Sequence, residues 1–212
     1  MDNSERDRAQ AALEQRVREA CERGDHASGI TLLLQEVGPK VLAFLVQRLG
    51  NVSDAGEVFS IFSEDLWRAL PSFEWRCTVR GYSFALARSA AIRYRKQASE
   101  RPGRKRPLSE ASLSQLVERV RDQTLSYLRS EVKTRMQELI TQLPEDDRAL
   151  LSLRVDQNLG FRELAIAIEY DGKPPDEAEL TRAAARMRKR FQLVKERLKR
   201  MASEAGLIED PS

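Results

Sequence analysis

The chain has 212 residues, 41% apolar and 33% charged, with 36 Lys and Arg against 33 Asp and Glu for a net charge of +3. That composition fits a soluble protein of one or two domains burying a core under a charged surface, and it excludes wholesale disorder and collagen-like structure. Its longest apolar stretches, such as Ile30 to Leu34 and Leu164 to Ile168, fall far short of the ~20 residues of a membrane span, so no membrane insertion is expected.

In chain order, the apolar periodicity is helical almost throughout. Residues 9 to 23 place Ala12, Leu13, Val17 and Ala20 at helical spacing, with Gly24 and Gly29 as interruptions. Val41, Phe44, Leu45 and Leu49 follow the spacing of one buried face, with Pro39 near the helix start and Gly50 near its end. Val58, Ile61, Phe62 and Leu66 repeat it behind Asn51, Ser53 and Asp54, which suit an N-cap; Pro71 stops that helix and another begins near Thr78.

The segment Ala98 to Ser112 combines Pro102, Gly103, Pro107 and four bases with almost no apolar residue, the composition of a flexible linker between domains at 1–97 and 113–212. Beyond it, Leu113, Leu116, Val117, Val120, Leu128, Val132, Met136, Leu139 and Leu143 predict a long amphipathic helix ending at Pro144. A short helix over Asp147 to Val155, a turn, a helix over Phe161 to Tyr170, a loop from Asp171 to Pro175 and a long terminal helix follow, an order compatible with a helix-turn-helix. No segment shows strand alternation bounded by turn signals. The predicted fold is all-α, two small helical domains joined by a linker.

The near-neutral total hides a segregation of charge. Two windows, Arg88 to Arg106 and Thr181 to Arg200, hold 17 of the 36 bases and 2 of the 33 acids, a local +15 that leaves the other 173 residues at −12. Such concentrations are the footprint of polyanion binding, because neutralised phosphates release condensed counterions. A solvated basic helix face is the plainer alternative for either window. In the terminal helix, Leu180, Ala184, Met187, Phe191, Val194, Leu198 and Met201 form one apolar seam that puts Arg182, Arg186 and Lys189 on the opposite face, where they can enter a major groove. A bundle helix with a basic outer face has the same pattern.

Only 13 residues are aromatic, yet Phe73, Trp75, Tyr82 and Phe84 crowd just before the first basic window. Rings beside cations suit single-stranded nucleic acid, whose bases stack on them. Core packing is the alternative for Tyr82 and Phe84, whereas Trp75 sits in a polar loop. Cys21 and Cys77 lie far apart without a CxxC pair and His26 is the single imidazole, so a Cys/His zinc cluster and His-based acid–base catalysis are poor hypotheses, and no cofactor is implied. The polar N-terminus MDNSERDRAQ lacks the basic and apolar regions of a secretory signal, which leads to an expected cytoplasmic location and reduced thiols.

These residues resemble the extracytoplasmic-function (ECF) group of the sigma-70 family of bacterial RNA polymerase sigma factors, over roughly residues 25 to 96 and 137 to 200. DAGEVFSIFSEDLWRALPSF (Asp54 to Phe73) looks like the region 2 helix that docks on the clamp helices of the polymerase largest subunit. VRGYSFALARSAAIRYRK (Val79 to Lys96) is similar to the helix that reads the melted minus-10 element. LPEDDRALLSLRVDQNLGFRELAIAI (Leu143 to Ile168) followed by TRAAARMRKRF looks like region 4, whose helix-turn-helix binds the minus-35 element and whose surface contacts the polymerase flap. The chain departs from the family at Ser60 and Ile61, where Gln and an acid are usual, at Ser89 in place of a common Asn, and in a longer loop from Asp171 to Glu179.

The resemblance implies a transcription initiation factor with no catalytic residues and no metal. It places Asp54, Glu57, Val58, Phe62 and Leu66 in core-polymerase binding. It places Trp75, Arg76, Cys77 and Thr78 in a base-capturing loop, and Arg80, Tyr82, Arg88, Ser89 and Arg93 along the minus-10 surface. Arg162, Thr181, Arg182, Ala185, Arg186 and Lys189 fall on the minus-35 surface. Implied partners are core RNA polymerase, promoter DNA and an anti-sigma factor. The alternatives are a sigma-derived DNA-binding regulator that does not engage core polymerase and, from another class, a DNA-processing enzyme, for which no carboxylate triad, phosphate loop or Ser/His constellation is present.

Overall fold

The computed structural model describes residues 3–100, 135–170 and 175–208, and all regular structure among them is helical. Helix α1 (Asn3–Glu22) is followed by α2 (His26–Glu36), α3 (Gly38–Leu49), α4 (Val52–Ala69) and α5 (Val79–Glu100). After residue 134 come α6 (Arg135–Thr141), α7 (Glu145–Leu151), a π-helical turn (Ser152–Asp156), α8 (Phe161–Ile168) and α9 (Glu177–Glu204).

Local chemistry sets most of these boundaries. The Asp25 carboxylate accepts from Ser28 N at the start of α2, and Asn51 Oδ1 accepts from Ser53 N and Asp54 N at the start of α4. Between them α3 carries Pro39 in its first turn and ends at Gly50, whose φ of 68° is the left-handed C-cap conformation that glycine adopts without a Cβ clash. Leu70–Ser72, around Pro71, forms a 3₁₀ turn after α4. Thr78 Oγ1 accepts from Gly81 N at 3.1 Å, and the Glu14 carboxylate, brought in by α1, accepts from Val79 N at 3.0 Å. Two otherwise orphaned donors of α5 are thereby satisfied.

The first core gathers Val41, Leu42, Phe44 and Leu45 of α3, Val58, Phe59, Phe62 and Leu66 of α4 and Phe84 of α5, with Phe44 edge-on to Phe84 at 5.8 Å. Each fully buried side chain of this size contributes about 1.5–3 kcal/mol. Helix α5 carries small residues, with Ala85, Ala87, Ala90 and Ala91 all buried, which lets neighbours approach it on more than one side. Helices α3 and α4 occupy one side and α8 another, so the two halves of the chain pack against each other. Helix α8 in turn buries Leu164, Ala165 and Ile168 and packs on α9, whose Leu180, Ala183, Met187 and Val194 are buried.

Several boundaries differ from expectation. Gly29 lies within α2, where a Cβ would stand 3.4 Å from Cys21 Sγ and 3.5 Å from Leu70 Cδ2, so it admits close packing of α1 and the 3₁₀ turn rather than breaking the helix. Helix α5 runs through Glu100, three residues into the expected linker; the rest of that linker and the helix expected from Leu113 lie outside the described residues as far as 134. Helix α9 begins at Glu177, capped by Asp176, inside the loop expected to reach Glu179. No single helix among the described residues is long and apolar enough to cross a membrane.

Candidate nucleic-acid interface

The expected nucleic-acid residues fall on two surfaces with opposite fates. The first lies on the loop before α5 and along α5 itself. Trp75 has a φ of 56°, an uncommon conformation for a bulky residue. Its ring meets Phe73 at 5.0 Å and lies under the Arg18 guanidinium at 4.8 Å, and Phe73 stacks on Tyr82 at 4.7 Å. The result is a continuous ladder of Tyr82, Phe73, Trp75 and Arg18. Trp75 is half-buried against the core, which corrects the expectation that it stands apart in a polar loop. The local reason is α1, whose Glu14 and Arg18 reach over the loop.

Cys77 sits in the same place, half-buried. Burial, with the carboxylates of Glu14 and Glu163 adding to it, pushes its thiol up to about 12, so the group is held protonated and unreactive at neutral pH. Both Cys21 and Cys77 are free thiols. Arg76 remains largely exposed, within 3.8 Å of Glu74 and 3.5 Å of the Pro175 carbonyl.

Further along α5 the cations are engaged by the second half of the chain. Arg80 is 5% exposed and donates to the Gln157 carbonyl. Arg88 donates to Asp146 at 3.1 Å, and Arg95 pairs with Glu145 while donating to the Arg48 carbonyl at 2.6 Å. Arg48 itself, on α3, is buried and pairs with the same Glu145; burial depresses its basicity, to a pKa of about 10. Thr78 Oγ1 donates to Glu163 at 2.7 Å, and the other oxygen of Glu163 accepts from Gly160 N at the start of α8. Arg93 pairs instead with Asp65 of α4, and Ser89 is half-buried.

The second surface is open. The first half of α9 presents Thr181, Arg182, Ala185, Arg186 and Lys189, all exposed, with Arg162 of α8 beside them. Thr181 Oγ1 donates to the Glu177 carbonyl. Arg162 pairs with Glu177 at 2.6 Å, Arg182 with Glu179 at 2.8 Å, and Arg186 with Glu169 at 2.7 Å and Glu179 at 2.9 Å. Hydrogen bonds from Arg182, Arg186 and Tyr170 hold the Glu179 carboxyl down at about 2. Exposed pairs of this kind are worth about 0–1 kcal/mol each, so a phosphate can replace the acid at small cost.

The residues expected to meet core polymerase divide. Asp54 and Glu57 are half-buried on α4, with Asp54 accepting from Tyr94 OH at 2.8 Å. Val58, Phe62 and Leu66 are at most 1% exposed, so they anchor α4 to the core and cannot touch a partner on the folded protein, which corrects that expectation. Apolar spacing marks the face of a helix that is buried, and these three belong to it.

Sequence reasoning missed Arg48, Arg95, Glu145, Asp146 and Glu163. One signal was present: Arg48 follows Val41, Phe44 and Leu45 on the apolar face of α3, a place where a cation needs a buried counter-charge. The run Glu145-Asp146-Asp147 supplies counter-charges to Arg48 and Arg95, Arg88 and Arg190 respectively. Among the described residues no cluster of three or more His, Cys, Asp or Glu side chains could hold a metal. No family model, curated protein or solved structure matches the chain.

Proposed function

We propose that this chain is an RNA polymerase sigma factor of the ECF type, which binds core polymerase, directs it to promoters and helps melt them. The observation that carries the reading is the ordered set of three segments resembling a core-docking helix, a minus-10 helix and a minus-35 helix-turn-helix. The exposed cationic face of α9 supports it, since Arg182, Arg186 and Lys189 project from a helix whose opposite side is buried in the core. The aromatic ladder next to the α5 cations supports it too, as a stacking platform beside backbone-neutralising charge. On this reading the protein is not itself an enzyme, works in the cytoplasm, and has core polymerase, promoter DNA and an anti-sigma factor as partners.

Run-off transcription with purified core polymerase on genomic DNA tests it: the expected result is a set of promoter-dependent transcripts, and their absence sinks the reading. A second reading, a sigma-derived regulator that does not engage core, is favoured by the burial of Val58, Phe62 and Leu66 together with Ser60 and Ile61 on α4. Co-purification of the chain with core polymerase decides between the two.

A further inference from the structure

Arg48 lies on the apolar face of α3, and its side chain is 3% exposed. An arginine keeps its charge inside a protein and carries its N–H donors in a rigid planar fork. Here Nη2 meets Glu145 Oε1, while Nε and Nη1, both buried, find no acceptor among the described residues. The carboxylate is also shared. Glu145 Oε2 pairs with Arg95 Nη1, and Arg95 Nη2 donates to the Arg48 carbonyl at 2.6 Å. Two guanidiniums therefore divide one carboxylate, with the pair of Arg88 and Asp146 alongside. Burial, with Arg88 and Arg95 adding to it, holds Arg48 down at about 10, and the opposing pull of Glu145 and Asp146 does not restore it.

Positive charge left over in a buried place, together with buried donors that no protein group answers, costs stability. Water would satisfy a donor but would leave the charge uncompensated. An anion does both. Its size follows from the burial: at 3% exposure Arg48 is out of reach of phosphates fixed along a polymer, and a monatomic ion asks for the least room as α7 packs on α3.

We propose that Arg48, with Arg95 beside it, forms a buried halide site at the junction of α3, α5 and α7. Chloride there accepts from an edge of the Arg48 guanidinium that Glu145 leaves unanswered, and it offsets the charge that one carboxylate cannot cancel between two arginines. The site ties the two halves of the chain together through a bound ion, and it does not depend on the nucleic-acid reading of α5.

Unfolding of the full chain, followed at constant ionic strength while chloride replaces gluconate, an anion too large for the site, tests the proposal. One ion held by the folded chain and not by the unfolded one raises the folding equilibrium constant about tenfold for each tenfold rise in chloride above its Kd. The native chain is expected to show this dependence, and bromide to reproduce it. The double variant Arg48→Met, Glu145→Gln, which removes the buried cation together with its carboxylate, is expected to lose it. Crystals of the native chain grown from bromide should carry an anomalous peak against Arg48. A native chain indifferent to chloride overturns the site. Equal dependence in the native chain and the double variant also overturns it, since the ion then sits elsewhere, as on the basic face of α9. Should the double variant fail to fold, the bromide position decides: a peak against Arg48 upholds the site and its absence there overturns it.

Discussion

Arg88 of α5 and Asp146 of α7, 58 positions apart in the chain, share a 3.1 Å ion pair in which the arginine side chain is 12% exposed and the aspartate 43%. The arginine is the more desolvated partner. A cation so placed has little access to any external anion while the aspartate stays. The same asymmetry holds for Arg48, 3% exposed against 36% for Glu145.

The Arg48–Glu145 pair leads to a stability prediction. Removing one partner of a fully buried pair costs about 3–5 kcal/mol, because the remaining charge is left without a counter-charge; with Glu145 a third exposed, Glu145→Ala should cost about 2 kcal/mol. Replacing Arg48 and Glu145 together by Met and Gln should restore most of that loss. Urea denaturation of the two variants measures both, and an unaffected Glu145→Ala midpoint would show that Arg48 finds another counter-charge.

Phe62 separates a core role from a partner-facing one. At 1% exposure, Phe62→Ala should lower stability by about 3–5 kcal/mol through lost burial and the cavity left behind. Calorimetry reads the effect. A variant with native stability and weakened polymerase binding would instead mean that the ring faces a partner.

For the α9 surface the test is the salt dependence of duplex binding. Neutralising Arg182, Arg186 and Lys189 to Gln should weaken binding and reduce the slope of log K against log salt by roughly one unit for each phosphate that no longer meets a cation. Titrations at several salt concentrations give the slope. An unchanged value would make α9 a bundle helix with a merely solvated basic face.

The Glu179 carboxyl carries a pH prediction. Its ordinary value of 4.5 is lowered to about 2 by hydrogen bonds from Arg182, then Arg186 and Tyr170. A depressed carboxyl contributes stability that is fully present above pH 4.5 and lost as pH falls through about 2. Carbon-detected NMR titration should find the midpoint well below that of a solvated glutamate, and Arg182→Gln should move it back up. Because the group is on the surface, added salt should narrow the difference.

How much was legible in advance varies from residue to residue. Periodicity and capping chemistry located α3 and α4 closely, since Pro39, Gly50 and Asn51 act within a turn of where they stand. The apolar seam of α9 likewise placed Arg182, Arg186 and Lys189 outward from local spacing alone. The same spacing marked Val58, Phe62 and Leu66 as a buried face, as they are; the resemblance set them against a partner, and it did not show what covers them. Trp75 was misplaced for a related reason: Arg18 and Phe73 cover it, and a polar loop sequence does not show what lies over it.

The sequence by itself therefore determined an all-helical chain, the two basic segments and the outward face of α9, all properties of residues within a few turns of one another. Tertiary structure alone decided that Arg80, Arg88 and Arg95 of α5 are engaged by the second half of the chain while Arg182, Arg186 and Lys189 of α9 face solvent. Helical period orients a side chain about its own axis, but the counter-charge that meets it comes from a distant element. Glu145, Asp146 and Glu163 reach Arg48, Arg95, Arg88 and Thr78 only because the alanines of α5 admit a second layer of helix against it.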